Sequence, residues 1–304
     1  MNNGRDFLEN YNFSLIQHGK LSDRIYLIKL AKEDYPKIIV VLDELAEKYN
    51  YTKIFAKVPA DCKDGFLAKG YNEEAFIPTF YRGREGASFL GKYFCSSRAK
   101  EQHEETLKAV LQVAFKKAAA VQQNMTALPP GFSYALAQQD DAVEIAQLYG
   151  AVFDTYPFPI DEPQYIINTM NKNSLYFCIR YKGKLAALAS SEMDVAAKNV
   201  EMTDFATLPG YTGQGLASYL LHKMESEMQK RGLKTAYTIA RAYSYGMNVT
   251  FAKRGYHYGG TLINNTNIGG RIESMNVWYR SFHNTMAGKT LYPNSNLTPE
   301  TPDE

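Results

Sequence analysis

The chain has 304 residues, 45% hydrophobic and 22% charged, which excludes a disordered, collagen-like or repeat-only protein and leaves room for two compact units. A formal net charge of +2 is too near neutral for electrostatic capture of nucleic acid or an anionic membrane. No apolar run approaches the roughly 20 residues of a membrane-spanning helix.

Residues 1–10 are polar and show no signal-peptide core. Cys62, Cys95 and Cys178 are odd in number, far apart and without C-x-x-C spacing, so reduced, buried thiols of a cytoplasmic protein are expected. Residues 35–49 predict a helix, 53–58 a strand, 61–69 a short helix and 71–81 a strand. Over residues 102–124, Leu107, Val110, Leu111, Ala114, Ala118 and Val121 fall at helical spacing, and Phe115 widens the stripe. Pro129-Pro130-Gly131 then breaks the chain, dividing an N-terminal α/β extension, 1–128, from a unit spanning 129–283.

That second unit starts with a strand, 134–137, and a helix capped by Asp140 and running to about residue 153. A loop with three prolines, 155–163, follows. Strands 175–181 and 185–192 flank Lys182-Gly183 and read as a hairpin. Next come a strand, 200–207, a Gly-rich turn, and a helix, 216–230, ended by Gly232. Strand 235–242, a short helix, 247–254, stopped by Gly255, and strands 256–264 and 272–279 complete it, the last two expected to pair. Residues 284–304, rich in Pro, Thr and Asn, are expected to form a loose tail.

Phe66-Leu67-Ala68-Lys69-Gly70-Tyr71 echoes Phe251-Ala252-Lys253-Arg254-Gly255-Tyr256, each inside the order helix, strand, helix, Gly-Tyr, strand. A degenerate partial duplication and a chance likeness of two short α/β pieces both account for this. Residues 30–36 hold no glycine, so the first copy is not expected to bind phosphate.

The turn that bears chemistry is Leu208-Pro209-Gly210-Tyr211-Thr212-Gly213-Gln214-Gly215-Leu216-Ala217, between a predicted strand and a predicted helix. Free backbone N–H groups and the positive helix end converge there, which suits a phosphate or diphosphate. A P-loop would need Lys-Ser or Lys-Thr after the last glycine, where Leu216-Ala217 stand. A dinucleotide fingerprint would need a glycine near Ser218 and an acid about 20 residues on, and residues 233–242 hold none.

With Gly213 and Gly215 matched, and Asn248 followed by Phe251 to Tyr256, residues 132–282 resemble the GNAT superfamily of N-acetyltransferases. Gly210 stands where that family usually has Gln or Arg, and Thr212 where Arg is common, which removes side-chain support but leaves the backbone cradle. The stretches Glu201 to Thr207, Ala240 to Asn248 and Asn264 to Trp278, with the long N-terminal extension, resemble the β-lysine N6-acetyltransferase family over most of the chain. The resemblance implies an α/β fold with a mixed, mostly antiparallel sheet flanked by helices. It also implies acetyl transfer from acetyl-CoA, as co-substrate, to the side-chain amine of β-lysine, giving a compatible solute used under osmotic stress. Another small amine, a protein N-terminus, or a non-catalytic acyl-CoA-binding role are the alternatives.

By this resemblance, Thr212, Gly213, Gln214, Gly215, Leu216 and Ala217 hold the diphosphate of CoA. Phe205, Ala206 and Thr207 lie beside its pantetheine arm, and a backbone N–H near Thr207 faces the thioester oxygen. Asn248 bonds the cofactor or caps its helix. A lysine-type amine has a pKa of about 10.4 and needs a base near neutrality. Glu201 lies where some members carry that base. Asp204 is on the same strand, and strict alternation puts it on the opposite face, so only one of the two is expected to face substrate, with Glu201 favoured. The usual thiolate acid, a Tyr, is replaced by Phe251, and Tyr243 or Tyr245 could substitute. Asp154, Asp161 and Glu162, on or beside the proline-rich loop, are candidates for the substrate's ammonium groups, and Arg241 for its carboxylate. The five histidines are scattered without metal spacing, so no metal is expected. The expected partner is a small amine, with neither nucleic acid nor membrane, and a homodimer stays open.

Overall fold

The computed structural model describes residues 5–119 and 127–282, so Val121 and the expected tail lie outside the described residues. The first half runs β1 (Phe7–Tyr11), β2 (Ser14–Gly19), β3 (Arg24–Lys29), α1 (Ile38–Tyr49), β4 (Lys53–Pro59), α2 (Lys63–Leu67), β5 (Asn72–Tyr81) and β6 (Glu85–Tyr93). Two helices, α3 (Ser96–Ala99) and α4 (Glu104–Ala118), lead onward. The second half runs β7 (Phe132–Leu136), α5 (Ala142–Val152), α6 (Pro163–Lys172), β8 (Ser174–Tyr181), β9 (Lys184–Asp194) and β10 (Asn199–Thr207). It ends with α7 (Leu216–Lys230), β11 (Thr235–Arg241), α8 (Tyr245–Lys253), β12 (His257–Ile268) and β13 (Arg271–Ser281).

Among the described residues, thirteen strands join one mixed, mostly antiparallel sheet, in the order β1-β2-β3-β4-β6-β5-β12-β13-β11-β10-β9-β8-β7. From β8 onward the second half repeats the first: three antiparallel strands, a helix, a parallel strand, a short helix and a closing hairpin. The parallel pairs are β3 with β4 and β10 with β11. The matched Gly-Tyr corners agree in detail. Tyr71 N–H bonds the Phe66 carbonyl at 3.3 Å, and Tyr256 N–H bonds that of Phe251 at 3.1 Å. Their rings meet edge-on, 5.1 Å apart in one copy and 5.0 Å in the other.

Local sequence explains most elements. Lys182 and Gly183 both take positive φ, the turn that lets β8 and β9 close without splaying. Leu216, Leu220, Met224 and Met228 bury one side of α7 against Val200, Met202 and Ala236. On α4, Leu107, Val110 and Ala114 are buried, and Phe115 reaches the Trp278 ring at 5.8 Å. The opening of α5 departs from expectation: Asp141, rather than Asp140, accepts the Gln138 N–H at 2.7 Å. Cys62 and Cys178 are buried, but Cys95 is only partly so.

The two halves meet where β12 crosses β5, with Gly260 opposite Ala75. A Cβ on Gly260 would stand 2.1 Å from the Glu74 carbonyl oxygen, so this approach requires glycine. Beside it, buried Lys53 donates to Glu74 at 2.9 Å and to the Ile263 carbonyl at 2.6 Å. One buried cluster takes Tyr26, Phe55 and Phe89 from the first half and Tyr237, Leu262 and Val277 from the second.

Candidate active site

Strands β10 and β11 pair only from Asn199–Glu201 to Thr235–Tyr237, and then part. A bulge explains the parting. The β9 register slips by one residue between Thr203 and Ala206, and Asp204 takes a φ of +54°. The edge of Phe205, Ala206 and Thr207 toward β11 therefore has no strand partner among the described residues.

Under this fork, on the face opposite α7, lies a cavity of about 1080 Å³. Its walls come from both halves: Arg24, Tyr26 and Lys57 from the first, and Glu192, Glu201 and Asp204 from the second. At its inner end, Phe205, Ala240, Met247 and Phe251 line it and also pack in the core beneath α7. The cavity thus reaches the far side of the sheet where the strands separate.

Three carboxylates gather at the fork. Glu192 stands directly across from Glu201 in the β9–β10 register. Tyr237 donates to Glu201 at 2.9 Å, and Lys57 donates to the Tyr237 hydroxyl at 3.1 Å. Asp204 accepts from Ser190 and from Tyr156, each at 2.5 Å, and from Thr203 at 3.3 Å. Burial, with Asp204 and Glu201 alongside, pushes the Glu192 carboxyl up to about 8. Burial also raises Glu201, while Lys57 and the Tyr237 hydroxyl pull it back. It raises Asp204 as well, against the hydrogen bonds from Ser190 and Tyr156. Burial pushes the Lys57 ammonium down, but Tyr26 and Glu201 outweigh it and the net shift is upward, so Lys57 stays charged.

The expectation that only one of Glu201 and Asp204 faces substrate is corrected. Both line the cavity, because the bulge adds a residue and resets the alternation after Thr203. The acids expected on the proline-rich loop do not line it. Asp154 is exposed, and Asp161 and Glu162 bind Arg5 on the surface at 2.8 and 2.5 Å. That loop contributes Tyr156, Pro157 and Phe158 instead.

Arg241 lines the cavity but is held by Glu273 through two bonds of 2.9 and 2.8 Å. Tyr243 lies outside, donating to Glu101 at 2.7 Å, and Tyr245 is 46% exposed at the start of α8. Asn248 is fully buried and spent inside the fold. It donates to the carbonyls of Arg241 at 3.0 Å and Ser244 at 2.8 Å, and accepts from Asn276 and Trp278. Ser244, not Asn248, caps α8 through the Met247 N–H. Asn248 therefore fixes the corner between β11 and α8 and has no polar atom left for a cofactor.

The Gly-rich turn sits at the N-terminus of α7 as expected. Gly213 and Gly215 have φ of +77° and +75°, and α7 starts without a side-chain cap. The N–H groups of Gly213, Gln214, Gly215, Leu216 and Ala217 meet no acceptor among the described residues. A Cβ at Gly213 would touch nothing within 4 Å, so the cradle is open. A row of unpaired amides at a positive helix end fits a diphosphate.

Sequence reasoning missed Glu192, Tyr237, Lys57 and Arg24. The four-residue link between β9 and β10 carries a signal for Glu192, because it sets that residue opposite Glu201. No local signal places Lys57 or Arg24, which arrive from the other half of the sheet.

A fork in a mixed sheet, a cradle of free amides on one side and an acidic cavity on the other are the features that a transferase moving an acyl group from CoA to an amine requires. Residues 142–256 match the acetyltransferase (GNAT) family. The chain is 43% identical over 269 residues to the β-lysine N(6)-acetyltransferase of Methanococcus maripaludis, covering 88% of this chain and 96% of that one. It is 33% identical to the β-lysine N(6)-acetyltransferase of Methanosarcina mazei, covering 81% and 97%. It is 29% identical to N-acetyltransferase YodP of Bacillus subtilis, covering 87% and 94%. The chain belongs to the GNAT acetyltransferase family, whose members take their acetyl group from acetyl-CoA.

Proposed function

We propose that this chain transfers the acetyl group of acetyl-CoA to the side-chain amine of β-lysine, giving N6-acetyl-β-lysine, a zwitterionic compatible solute made in the cytoplasm under osmotic stress. The observation that carries this reading is the cluster of Glu192, Glu201 and Asp204 at the fork, in a cavity closed on its other side by cations and rings. The two relatives named for this activity span nearly their whole length on this chain.

Bound acetyl-CoA supplies a thioester with an electrophilic acetyl carbon. The amides from Gly213 to Ala217 would hold its diphosphate, and the open edge of Phe205, Ala206 and Thr207 its pantetheine arm. An N–H near Thr207 would stabilise negative charge on the thioester oxygen. The acceptor amine enters as an ammonium, with a pKa of about 10.4, drawn by the three carboxylates. It loses two protons during the reaction. One passes to Glu201, freeing the nitrogen lone pair to form the C–N bond. The C–S bond then breaks with its electron pair going to sulfur. Phe251 offers no hydroxyl there, and Tyr243 and Tyr245 lie outside the cavity, so the second proton reaches sulfur through water.

Tandem mass spectrometry of the product from β-lysine and acetyl-CoA tests the reading. One acetyl group on the terminal nitrogen is expected. Absence of product, or acetylation of the amine nearer the carboxylate, would refute it.

A further inference from the structure

The acidic cluster accounts for an ammonium but not for a carboxylate. Any amino-acid acceptor brings a carboxylate into the same cavity, and burying it without a cation is costly. Arg241 is already paired with Glu273. Lys57 bonds the Tyr237 hydroxyl and sits next to Glu201, at the acidic end.

Arg24, on β3 of the first half, is different. It lines the cavity yet is only 4% exposed. One of its terminal nitrogens donates to the Asn265 carbonyl at 2.9 Å, while its Nε has no hydrogen-bond partner among the described residues. It forms no ion pair with any described carboxylate. Its guanidinium carbon lies 5.2 Å from the Tyr26 ring centre and 5.7 Å from that of Phe55. The Lys57 ammonium lies 5.9 Å from the same Tyr26 ring. The wall thus steps from Arg24, over Tyr26, to Lys57, Tyr237 and Glu201, from an unpaired cation to the carboxylates. Burial pulls the Arg24 guanidinium down to about 10, opposed by the charge of Asp6, so it remains charged at neutral pH, and no described carboxylate lies within ion-pair distance of it.

We propose that Arg24 binds the carboxylate of the acceptor, so that the N-terminal half selects an amino acid over a diamine or polyamine. This rests on the function proposed above and adds the residue that sets its specificity. A guanidinium with a free N–H edge accepts a carboxylate in a fork geometry that an ammonium cannot match. Selection by such a pair is strong because the analogue without a carboxylate leaves the buried cation unpaired.

The test compares β-lysine with the diamine obtained by removing its carboxylate, using wild type, Arg24→Gln and Arg24→Lys. Wild type is expected to favour β-lysine. Arg24→Gln is expected to raise KM for β-lysine by about 100-fold, the scale of a lost charged hydrogen bond, and to raise kcat/KM for the diamine, which no longer leaves a buried cation unpaired. Arg24→Lys is expected to restore part of the loss. Diamine turnover and CoA affinity report that the variants are folded. If Arg24→Gln keeps the wild-type KM for β-lysine, or loses both substrates equally, Arg24 is not the carboxylate anchor. If wild type acetylates the diamine but neither β-lysine nor L-lysine, the proposed function fails and this inference fails with it.

Discussion

At the scale of single residues, the proposed chemistry turns on carboxylates whose charge the fold makes costly. Glu201→Gln removes the proposed base and should lower kcat near neutral pH by roughly 100-fold or more, which steady-state kinetics will read. A rate within a few-fold of wild type would assign the base elsewhere. Glu192 gives a stability signature. Its carboxyl rises from an ordinary value near 4.5 to about 8 in the folded chain, so the folded state holds a proton that the unfolded state releases. Stability is then full below about pH 4.5 and declines as pH rises toward 8, with a slope approaching about 1.4 kcal/mol per pH unit for one proton. Thermal unfolding of the ligand-free protein should show this fall, and Glu192→Gln should flatten it. A melting temperature that rises over the same window would contradict the assignment.

At the scale of elements, the proposed positioning falls to the amides before α7 and the bulge in β10. Gly213→Val should weaken CoA binding by at least about 10-fold in calorimetry while the protein still folds. A Cβ there meets no neighbour, but it strains a φ of +77° and crowds the cradle. Unchanged affinity would contradict the placement of the diphosphate. The turn and helix were legible because Gly213, Gly215 and the apolar stripe of α7 are local signals. The bulge was not, because a one-residue slip is set by pairing between strands, and it alone puts Asp204 on the face of Glu201. Strands β1 to β3 were also illegible. β1 is almost wholly exposed, and the buried positions of β2 and β3 include Ser14, Gln17, His18 and Arg24, which break the apolar alternation that marks a strand. Asn248 shows the converse: its place in a family pattern was legible, but its complete use inside the corner was not.

At the scale of the molecule, two similar halves share one sheet, and the cavity is walled by residues of both. The echo between Phe66–Tyr71 and Phe251–Tyr256 was legible, and the strand order extends it to nearly the whole first half. The first half shares the frame of the second and lends Arg24, Tyr26 and Lys57 to the cavity wall. Its β3–β4 pair stays in register over four residues, and its connection from β3 to α1 has no glycine. The joint at Gly260 is open to test. Gly260→Val would drive a side chain into Glu74 and Ala75, and should cost several kcal/mol in urea unfolding, on the order of a severe overpacking. Wild-type stability would mean that β12 and β5 do not approach this closely. The proposed transfer depends most on the meeting of two sites through the fork between β10 and β11. A crystal structure with CoA and β-lysine bound tests that directly. The expected density places the diphosphate on the amides of Gly213 to Ala217, the sulfur near Phe251, and the amine beside Glu201. Density for CoA away from α7, or for β-lysine outside the cavity between the halves, would contradict it.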